Sequence, residues 1–461
     1  MRRFQVWFAA GVLVGVLATL PRPAAAQGFS INEHGSCAMG RAGTGTASPC
    51  KDGSGMFFNP AGIGLPDGAT VASLGSTFIA PSGDFTDATT GEVSTLEDHV
   101  YPVPSFYLVH GFSDDVSAGL GVFAPYGLAT EWPEGSQGRF LGYYSNVKGI
   151  YVQPTVAVAL GKNLKVGAGV DFGYARVELK RHVDLSEQEA APGVSFANLG
   201  VATGTDFADA AVEGDAMTTG FHVGAIYQLT SRFSIGVRYL AKQTAEVDDG
   251  EASFEQIETG LVLAPNNPLG LPAGTPVDAL VASQFEPGGS LVDQTGTVEL
   301  PFPAQLSVGV TFKANDKWTL LVDMQKTYWE AFDVLPLDFE LLGAQPLYEY
   351  YENTIGWRFG TEYAISPKAI VRLGYITHDA AAPDETVTPN LPEGPRSEIT
   401  AGFGTRLGEH LVLDLAYQYI DQADREGRTT DGGLEIPTAA VNNGLYQFSA
   451  HLFGANFSYT F

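Results

Sequence analysis

Charged residues are scarce in this sequence. They make up 17% of its 461 residues, whereas a typical soluble domain has about 25%, and there are only 2 cysteines. Beyond the N-terminal segment there is no apolar run of the ~18 residues that a membrane helix needs. These absences exclude a disulfide-built miniprotein, and they argue against an ordinary cytosolic enzyme because its surface would be too poor in charge.

Glycine and aromatic residues are instead abundant, with 55 Gly, 28 Phe and 19 Tyr. Combined with the lack of a membrane helix, this composition predicts a large β structure. The net charge is −27, and it approaches −27 − 3 = −30 once Arg2, Arg3 and Arg22 are removed with the leader described next. We therefore expect no nucleic acid partner, because its phosphates would be repelled.

Residues 1–26 have the features of a secretory signal peptide. Arg2 and Arg3 form the charged start, Phe4–Leu20 the apolar stretch, and Ala24–Ala26 the small residues before the cleavage site. A membrane anchor is the alternative, but the apolar stretch is short for one. We expect export, with Gln27 as the first residue of the mature chain.

Export places Cys37 and Cys50 in an oxidising compartment, where a disulfide is favoured over two free thiols. His34 lies nearby in the sequence, but three ligands at irregular spacing are weak evidence for a zinc site. We therefore predict a disulfide, and we expect neither a metal ion nor a cofactor.

Apolar residues alternate with small or polar ones from about residue 69 onward, which predicts β-strands with two different faces. In residues 411–419, Leu and Tyr occupy one face, and Asp414, Ala416 and Gln418 occupy the other. Fourteen such strands follow one another: 69–79, 100–112, 115–130, 147–160, 163–180, 214–229, 231–247, 296–312, 316–332, 351–365, 368–379, 394–407, 410–421 and 446–461. Short turns alternate with long connections between them, as in an up-and-down membrane barrel.

The two faces fit either a soluble sandwich or a barrel with apolar residues toward lipid and polar residues toward its lumen. Aromatics at the strand ends and the final Phe457, Tyr459 and Phe461 favour the barrel in a bacterial outer membrane. The predicted fold is all-β: a 14-stranded antiparallel transmembrane barrel over residues 67–461. Residues 27–66 precede it, lack the alternation, and either plug the lumen or extend into the periplasm.

Several motifs resemble the FadL-type outer-membrane transporters. Residues 28–33 (GFSINE), 40–42 (GRA) and 59–61 (NPA) resemble the N-terminal hatch of that family, and residues 126–132 (YGLATEW) and 453–457 (FGANF) resemble its barrel. The resemblance implies a hatch over residues 27–66 that fills the lumen. It also implies import of long-chain fatty acids or other hydrophobic compounds, with sideways exit into the membrane through a kink in the third strand.

The resemblance also supplies candidate site residues. Phe29 is expected beside an inner ligand pocket, and Asn59, Pro60 and Ala61 are expected to pin the hatch near the third-strand kink. Arg176 matches an arginine that the family uses against the ligand carboxylate, but it would face outward unless a bulge lies near Gly173. Residues 352–353 are Glu-Asn where a basic residue is expected, which keeps neutral hydrocarbons open as ligands.

The kink also has support from the residues themselves. Pro125 interrupts an otherwise regular strand, next to Tyr126 and Gly127, and proline cannot donate a ladder hydrogen bond. The alternative is a bulge at the rim of the barrel that has no functional role. Residues 248–295 form a long acidic loop that is also dense in apolar side chains, which suggests either ligand capture or packing of the loop on itself. Its candidate ligand-binding residues are Leu261, Leu263, Leu280 and Phe285.

Three other functions compete with hydrophobic import. A diffusion porin needs no plug of forty residues, an outer-membrane hydrolase would need a nucleophile or metal motif that this sequence lacks, and an adhesin is suggested only by the acidic loops. We expect a monomeric transporter, not an enzyme, whose partners are a hydrophobic small molecule and outer-membrane lipid.

Overall fold

The chain forms a closed antiparallel β-barrel in the computed structural model, which describes residues 28–427, 430–431, 434–435 and 442–461. Within these residues the barrel has fourteen strands, as the sequence predicted. In chain order, β1 to β14 are Thr70–Asp87, Tyr101–Gly111, Val116–Glu131, Tyr144–Leu160, Leu164–Val183, Ala208–Thr230, Phe233–Leu240 with Gln243–Gln256, Gln294–Phe302 with Gln305–Lys313, Trp318–Thr327, Thr354–Ser366, Ala369–His378, Arg396–Leu407, Leu411–Glu426 and Gly444–Thr460.

Pairing between β1 and β14 closes the barrel. Their register runs without interruption from Val71 opposite Thr460 to Asp87 opposite Gly444. Long connections join the strands at one end of the barrel, called here the loop end, and short turns join them at the other, the turn end. In bacterial barrels the longer connections face the outside of the cell.

Several strands extend further toward the loop end than the sequence predicted. β1 continues to Asp87 rather than ending at residue 79, and β7 continues to Gln256 rather than ending at residue 247. These extensions were missed because they carry polar side chains on both faces, so the alternation that reveals membrane-facing strands is lost.

Strands β7 and β8 are each broken once, at residues 241–242 and 303–304. The breaks lie opposite each other in the ladder that joins the two strands, and Pro303 supplies no N–H at this level. Beyond the break, β7 resumes its pairing with β6 only at Glu251 opposite Glu213. The β7–β8 hairpin therefore bends as a unit.

The barrel has an apolar outside and a polar inside. Outward side chains on the strands are large and exposed, such as Leu74 (62%), Phe453 (54%) and Phe457 (51%). In β13 the outward set includes Leu415 and Tyr417, whereas the alternate side chains Asp414, Ala416 and Gln418 are buried inside. This distribution is the reverse of a soluble protein and is the one that a lipid-facing barrel requires.

The N-terminal segment, residues 28–66, lies inside the barrel. It contains two short helices, α1 (Ser36–Met39) and α2 (Gly55–Phe58), and a 3-10 turn at Pro60–Gly62. The α1 helix packs on β12, β13 and β14, whereas the 3-10 turn packs on β4, β5 and β6. All of residues 28–63 are described, and Lys51 is the one exposed residue among them.

The long connections contain short elements of their own. A third helix, α3, spans Asp278–Val281. The other short strands are Val93–Thr95, Glu189–Ala191, Val194–Ser195, Val334–Leu335, Leu337–Phe339, Gly343–Ala344, Leu347–Tyr348, Thr430–Asp431 and Leu434–Glu435, and the other 3-10 turns are Ala197–Leu199, Ala282–Gln284, Trp329–Ala331 and Asp384–Thr386. Among the described residues, no helix has the length and apolar character to cross a membrane. The predicted signal peptide lies outside the described residues.

Candidate functional site

The wall of the barrel has a gap between β2 and β3. Both strands lie within the described residues, and they pair only from Phe106 opposite Val122 to Gly111 opposite Ser117. On its other edge β2 pairs with β1 as far as Tyr101 opposite Ile79. Residues 101–105 of β2 are therefore held by β1 alone. Two of these five residues are prolines, which strands accept mainly at edges and bulges.

An irregularity in β3 produces this gap. The ladder between β3 and β4 shifts register between Phe123 and Tyr126, because Phe123 lies opposite Tyr151 and Tyr126 lies opposite Gly149. Residues 124 and 125 are thus matched by a single residue of β4, which is the geometry of a β-bulge. The bulge that the sequence predicted at Pro125 is confirmed. It turns β3 away from β2 at the point where their pairing ends.

The start of the N-terminal segment takes the place of β2 beside the kinked part of β3. Ile31 donates its backbone N–H to the carbonyl oxygen of Pro125 at 2.8 Å, and Gly127 donates to the carbonyl oxygen of Phe29 at 2.9 Å. Ser30 lies opposite Tyr126 as an antiparallel bridge. Because unpaired backbone groups are costly where there is no water, these bonds stabilise an otherwise open edge.

A cavity of about 420 Å³ lies behind the gap, within the ~300–1,000 Å³ usual for small-molecule sites. The apolar part of its inner wall includes Ile79, Pro81, Ile420, Phe448, Ala450 and Leu452, and the polar side chains Glu33, Arg396 and Gln422 also line it. Phe29 and Tyr126 also line it, as do Pro102 and Pro104 at the gap and Ile150, which is exposed on the outer face. The cavity thus extends from the lumen through the gap to the surface that meets lipid.

Phe29 is held in a cluster of aromatic rings. Its ring centroid lies 4.8 Å from that of Trp329, 5.2 Å from that of Phe332 and 6.2 Å from that of Tyr126, all edge to face. Gly28, with φ of 56°, precedes it, and a Cβ atom there would lie 2.4 Å from the Trp329 ring. Only glycine fits both the backbone angle and the space. The cluster fixes the end of the segment that pairs with β3.

Glu393, in the connection between β11 and β12, also holds this end. Its carboxylate accepts hydrogen bonds from the backbone N–H groups of Gly28 at 3.0 Å, Ala381 at 3.1 Å and Ala382 at 3.0 Å. The side chain is fully buried, and burial raises the pKa of this carboxyl group although its hydrogen bonds oppose the shift. Glu393 thus links the segment to a loop-end connection.

Asn59 anchors the other end of the segment. Its buried side-chain nitrogen lies 2.6 Å from the carbonyl oxygen of Thr46 and 3.1 Å from those of Ala225 and Val237, and its side-chain oxygen accepts from the N–H of Ala61 at 3.1 Å. Ala225 and Val237 are register partners on β6 and β7.

The predicted position of this anchor is therefore wrong. Asn59, Pro60 and Ala61 do not pin the segment near the third-strand kink. They lie against β5, β6 and β7, where glycines in the wall admit the backbone of the segment: a Cβ atom at Gly167 would lie 2.3 Å from the Pro60 carbonyl carbon. The kink is contacted by Phe29 and Ile31 instead, because the segment crosses the lumen between its two ends.

Charged groups tie the middle of the segment to the wall. Arg41 contacts Glu362 of β10 at 2.9 Å, and Glu362 also accepts from Arg372 of β11 at 2.9 Å. Asp323 of β9 accepts from the backbone N–H groups of Gly45 at 2.8 Å and Thr46 at 2.9 Å. Cys37 and Cys50, whose Cα atoms are 6.3 Å apart, form a disulfide within the segment. The segment is thus bonded to strands on several sides of the lumen.

The prediction that Arg176 could reach the lumen is wrong. The ladders of β5 with β4 and with β6 keep one register past Gly173, so the bulge that would have turned Arg176 inward is not there in the described strand. The side chain lies on the outer face, 45% exposed, and contacts Glu213 of β6 at 2.8 Å. Arg176 is therefore no candidate for a ligand inside the barrel.

The apolar residues of the long loop, residues 248–295, contribute to a hydrophobic core that is separate from the one inside the barrel. Leu263 is 1% exposed and packs with Val277, Val281 and Phe207, while Leu280 and Phe285 lie partly buried around them. Packing of the loop on itself, one of the two interpretations of its apolar residues, therefore accounts for Leu263. Leu261 is 37% exposed.

Three charged side chains line the cavity, Glu33, Lys148 and Arg396, and no sequence pattern marked either of the basic ones. Glu33 belongs to the N-terminal segment, and Arg396 begins β12 with its side chain turned inward. The one available signal was that Arg396 shares its face of the strand with Glu398 and Thr400, but no motif marks it as a site. Only the closure of the barrel brings β12 beside the strands that form the cavity.

These features define a class of protein, an outer-membrane β-barrel with its own N-terminal segment in the lumen and a lateral gap in its wall. The chain belongs to the outer membrane protein transport protein family (OMPP1/FadL/TodX), which it matches over residues 17–461. It is accordingly a protein of the bacterial outer membrane, as the sequence predicted.

Known relatives and structures agree with this assignment. The chain is 25% identical to the long-chain fatty acid transport protein of Escherichia coli O6:H1, over 98% of this chain and 99% of that protein. The crystal structure of a Pseudomonas aeruginosa FadL homologue matches with a TM-score of 0.77 and 19% identity over 94% of this chain and 99% of that one. The Pseudomonas putida toluene transporter TodX matches with a TM-score of 0.66 and 19% identity, again over 94% and 99%. The structural matches support the fold.

Proposed function

We propose that this protein imports hydrophobic small molecules across the outer membrane and releases them sideways into the membrane through the gap between β2 and β3. The observation that carries the proposal is the continuity of the apolar cavity with the gap, next to backbone bonds that the N-terminal segment makes with β3. A molecule in the cavity has lipid, not water, beyond the opening.

The energetics favour this route. Each buried methylene is worth roughly 0.8 kcal/mol, so full exposure of a sixteen-carbon chain to water would cost on the order of 10 kcal/mol. Sideways release avoids that cost. The relatives named for long-chain fatty acid and toluene transport fit a hydrophobic cargo in this chain as well.

In this proposal the N-terminal segment acts as a plug and gate. Asn59, Asp323 and Glu362 hold its far end and its middle against the wall, whereas the Phe29–Ile31 end is held at the gap by two backbone bonds and an aromatic cluster. We expect the Phe29 end of the segment to move when the gate opens. In the closed state this end lies against Pro125, Tyr126 and Gly127 of β3. No catalytic step is part of the proposal.

The proposal is tested by uptake in cells of a bacterial host that lacks its own transporter of this kind. Cells that express the protein should accumulate a radiolabelled long-chain compound or a hydrocarbon faster than cells with an empty vector, while small hydrophilic sugars should enter both at the same rate. Faster sugar entry without hydrophobic uptake would identify a diffusion porin instead.

A further inference from the structure

We propose that Arg238 is a positioning residue for transport. Through one continuous chain of buried hydrogen bonds it holds Tyr126, in the kink of β3, at a fixed place relative to the α2 helix of the N-terminal segment. This inference deepens the proposed function and rests on it, because it concerns the surface against which the Phe29 end of the segment closes. Arg238 itself is not one of the described residues that line the cavity.

Arg238, on β7, is linked to the α2 helix through two side chains. Its Nε donates to Nε2 of His222 on β6 at 3.1 Å, and Nδ1 of His222 lies 3.3 Å from the side-chain oxygen of Gln153 on β4. The side-chain nitrogen of Gln153 in turn donates to the carbonyl oxygen of Met56 in α2 at 3.2 Å. Phe57, the next residue of α2, has its ring centroid 4.4 Å from the guanidinium carbon. The α2 helix therefore contacts this chain at two points.

In the other direction the chain ends at Tyr126. Nη2 of Arg238 donates to the side-chain oxygen of Gln305 on β8 at 2.6 Å. The side-chain nitrogen of Gln305 lies 3.3 Å from the Tyr126 hydroxyl oxygen, and this hydroxyl group donates to the carbonyl oxygen of Pro303 at 2.5 Å. Pro303 lies at the break in β8, so the chain joins the bend of the β7–β8 hairpin to the kink of β3.

Arg238 sets the direction of every bond in this chain. A guanidinium group can only donate, so Nε2 of His222 accepts and the proton of the neutral ring lies on Nδ1. The Gln153 oxygen then accepts from His222, and the Gln153 nitrogen is left to donate to α2. On the other side the Gln305 oxygen accepts from Arg238, so the Gln305 nitrogen donates to Tyr126. One residue thus determines the orientation of four others.

The chain lies where each of its bonds is costly to lose. Gln153, His222 and Gln305 are fully buried, and Arg238 and Tyr126 are only 2% and 1% exposed. A hydrogen bond is stronger in such surroundings than in water, and a polar group left without a partner is correspondingly unfavourable. Loss of one member leaves its neighbours unpaired, so the effect is transmitted along the chain to Tyr126.

Arg238 makes these bonds in place of a direct ion pair. Asp171 of β5 is fully buried and interacts electrostatically with Arg238, yet within the described residues neither of its carboxylate oxygens has a hydrogen-bond partner. Arg372, by contrast, contacts the carboxylates of Glu362 and Asp414 directly. The donors of Arg238 therefore orient neutral side chains, and its charge is balanced at a distance.

Tyr126 is the point at which the chain meets the gap. Ser30 lies opposite Tyr126 as an antiparallel bridge, and the ring centroids of Tyr126 and Phe29 are 6.2 Å apart. When the Phe29 end leaves, α2 and the chain keep Tyr126 in place, so the segment meets the same surface when it returns. Without the chain, Tyr126 moves more freely, and the backbone bonds of Ile31 and Gly127 across the gap are made less often.

The test is a double-mutant cycle between the two ends of this chain. Tyr126→Phe removes the terminal hydroxyl group and keeps the ring, whereas Arg238→Met removes the guanidinium group and keeps an unbranched side chain beside Phe57. Tyr151→Phe is the matched control. The Tyr151 ring lies 6.2 Å from that of Tyr126 and is equally buried, but among the described residues its hydroxyl group has no hydrogen-bond partner.

The measurement is hydrogen exchange at the Gly127 amide in purified protein in detergent, since this amide is bonded to Phe29 and not to any member of the chain. We expect exchange to become about tenfold faster in each single variant, as for the loss of one hydrogen bond, with no further increase in the double variant. Arg238→Lys, which retains a donor, should give a smaller increase, and Tyr151→Phe should stay within about twofold of the wild type. Brief channel openings in planar bilayers should become more frequent in the same order.

The outcomes separate this inference from the proposed function. Effects that multiply in the double variant would show that Arg238 and Tyr126 act independently, and they would overturn the inference, as would unchanged exchange in either single variant. If Arg238→Met does not assemble, as judged by heat-modifiable gel mobility, Gln305→Met interrupts the chain between the two residues and completes the cycle. Failure of cells with the wild type to take up hydrophobic compounds, with the coupling intact, would overturn the proposed function instead.

Discussion

Gly127 of the kinked third strand donates its backbone N–H to the carbonyl oxygen of Phe29 in the N-terminal segment, at 2.9 Å. In a regular barrel, β3 would pair with β2 at this level. Here β2 stops pairing with β3 at Phe106 and Val122, and the chain start supplies the bonds. The kinked part of β3 and the start of the segment are thus joined by the same backbone bonds, and a movement of Phe29 would break the bond to Gly127.

The first prediction concerns the lumen. Because residues 28–63 are bonded to the wall on several sides, the intact protein should show no steady large conductance in planar bilayers. Deletion of residues 28–61 should produce a steady conductance wherever the barrel still assembles, as judged by heat-modifiable gel mobility. Porin-like conductance in the intact protein would show that the segment does not close the lumen.

The second prediction concerns Asn59. Asn59→Ala removes an amide that bridges the segment to β6 and β7, and it leaves buried carbonyl groups with fewer partners. Unsatisfied buried groups cost roughly 1–3 kcal/mol each, so the segment should detach more often and admit large hydrophilic antibiotics into cells. Lys51→Ala, at the exposed position of the same segment, is the control and should leave antibiotic sensitivity unchanged. If the two variants were equally sensitive to the antibiotics, Asn59 would stabilise only its local turn and would not anchor the segment.

The third prediction concerns Gly28. Gly28→Ala places a methyl group against the Trp329 ring and strains a positive φ, which costs about 1–2 kcal/mol before the clash is counted. Phe29 should leave its aromatic cluster more often, and hydrogen exchange at the Gly127 amide should become at least tenfold faster. Gly68→Ala is the matched control, since Gly68 has φ of 74° with nothing within 4 Å of the added methyl. If the Gly127 amide exchanged at a similar rate in both variants, the dependence of its hydrogen bond on the position of Phe29 would be contradicted.

The fourth prediction is a dependence on pH. Burial lowers the pKa of His34, in the N-terminal segment, from 6.5 to about 3, with a smaller contribution from the charge of Arg238. When the segment leaves the wall, His34 regains its ordinary pKa and binds a proton more readily than it does when buried. The state in which the segment is bound to the wall therefore loses stability as pH falls below 6.5. At pH 5 the loss is about 2 kcal/mol. Brief channel openings in planar bilayers should become roughly twenty-fivefold more frequent between pH 7 and 5, and His34→Gln should weaken this dependence. A wild-type opening frequency that stayed constant would contradict it.

The sequence predicted the barrel well because lipid and lumen impose opposite requirements on alternate residues. Residues 411–419 show the pattern because both environments are present along that stretch. Pro125 was informative because a missing N–H has a local consequence that needs no tertiary context.

The sequence misplaced Arg176 because the requirements on alternate residues change near the loop end. Near the loop end the outside of the barrel is no longer apolar, so Arg176 and Glu213 lie outside while Ala175 and Val177 pack inside. The apolar alternation therefore inverts without any bulge. Arg396 could not be found for a different reason, because its partners Gln422 and Phe448 belong to other strands, and only barrel closure brings all three to one cavity.

Lateral exit is tested most directly by closing the gap chemically. Pro104→Cys with Ala124→Cys places thiols where β2 and β3 would pair if their ladder continued, and a bismaleimide joins them without reducing the Cys37–Cys50 disulfide. Leu108→Cys with Leu120→Cys, on residues that are register partners and exposed on the outer face, is the matched control. The measurement is the uptake rate of labelled long-chain ligand by cells after cross-linking.

Our account predicts that cross-linking across the gap abolishes uptake, that the purified cross-linked protein still binds ligand in detergent, and that the control cross-link leaves uptake unchanged. Uptake at the wild-type rate through a gap shown to be cross-linked would contradict lateral exit, and ligand would then have to leave along the barrel axis into the periplasm.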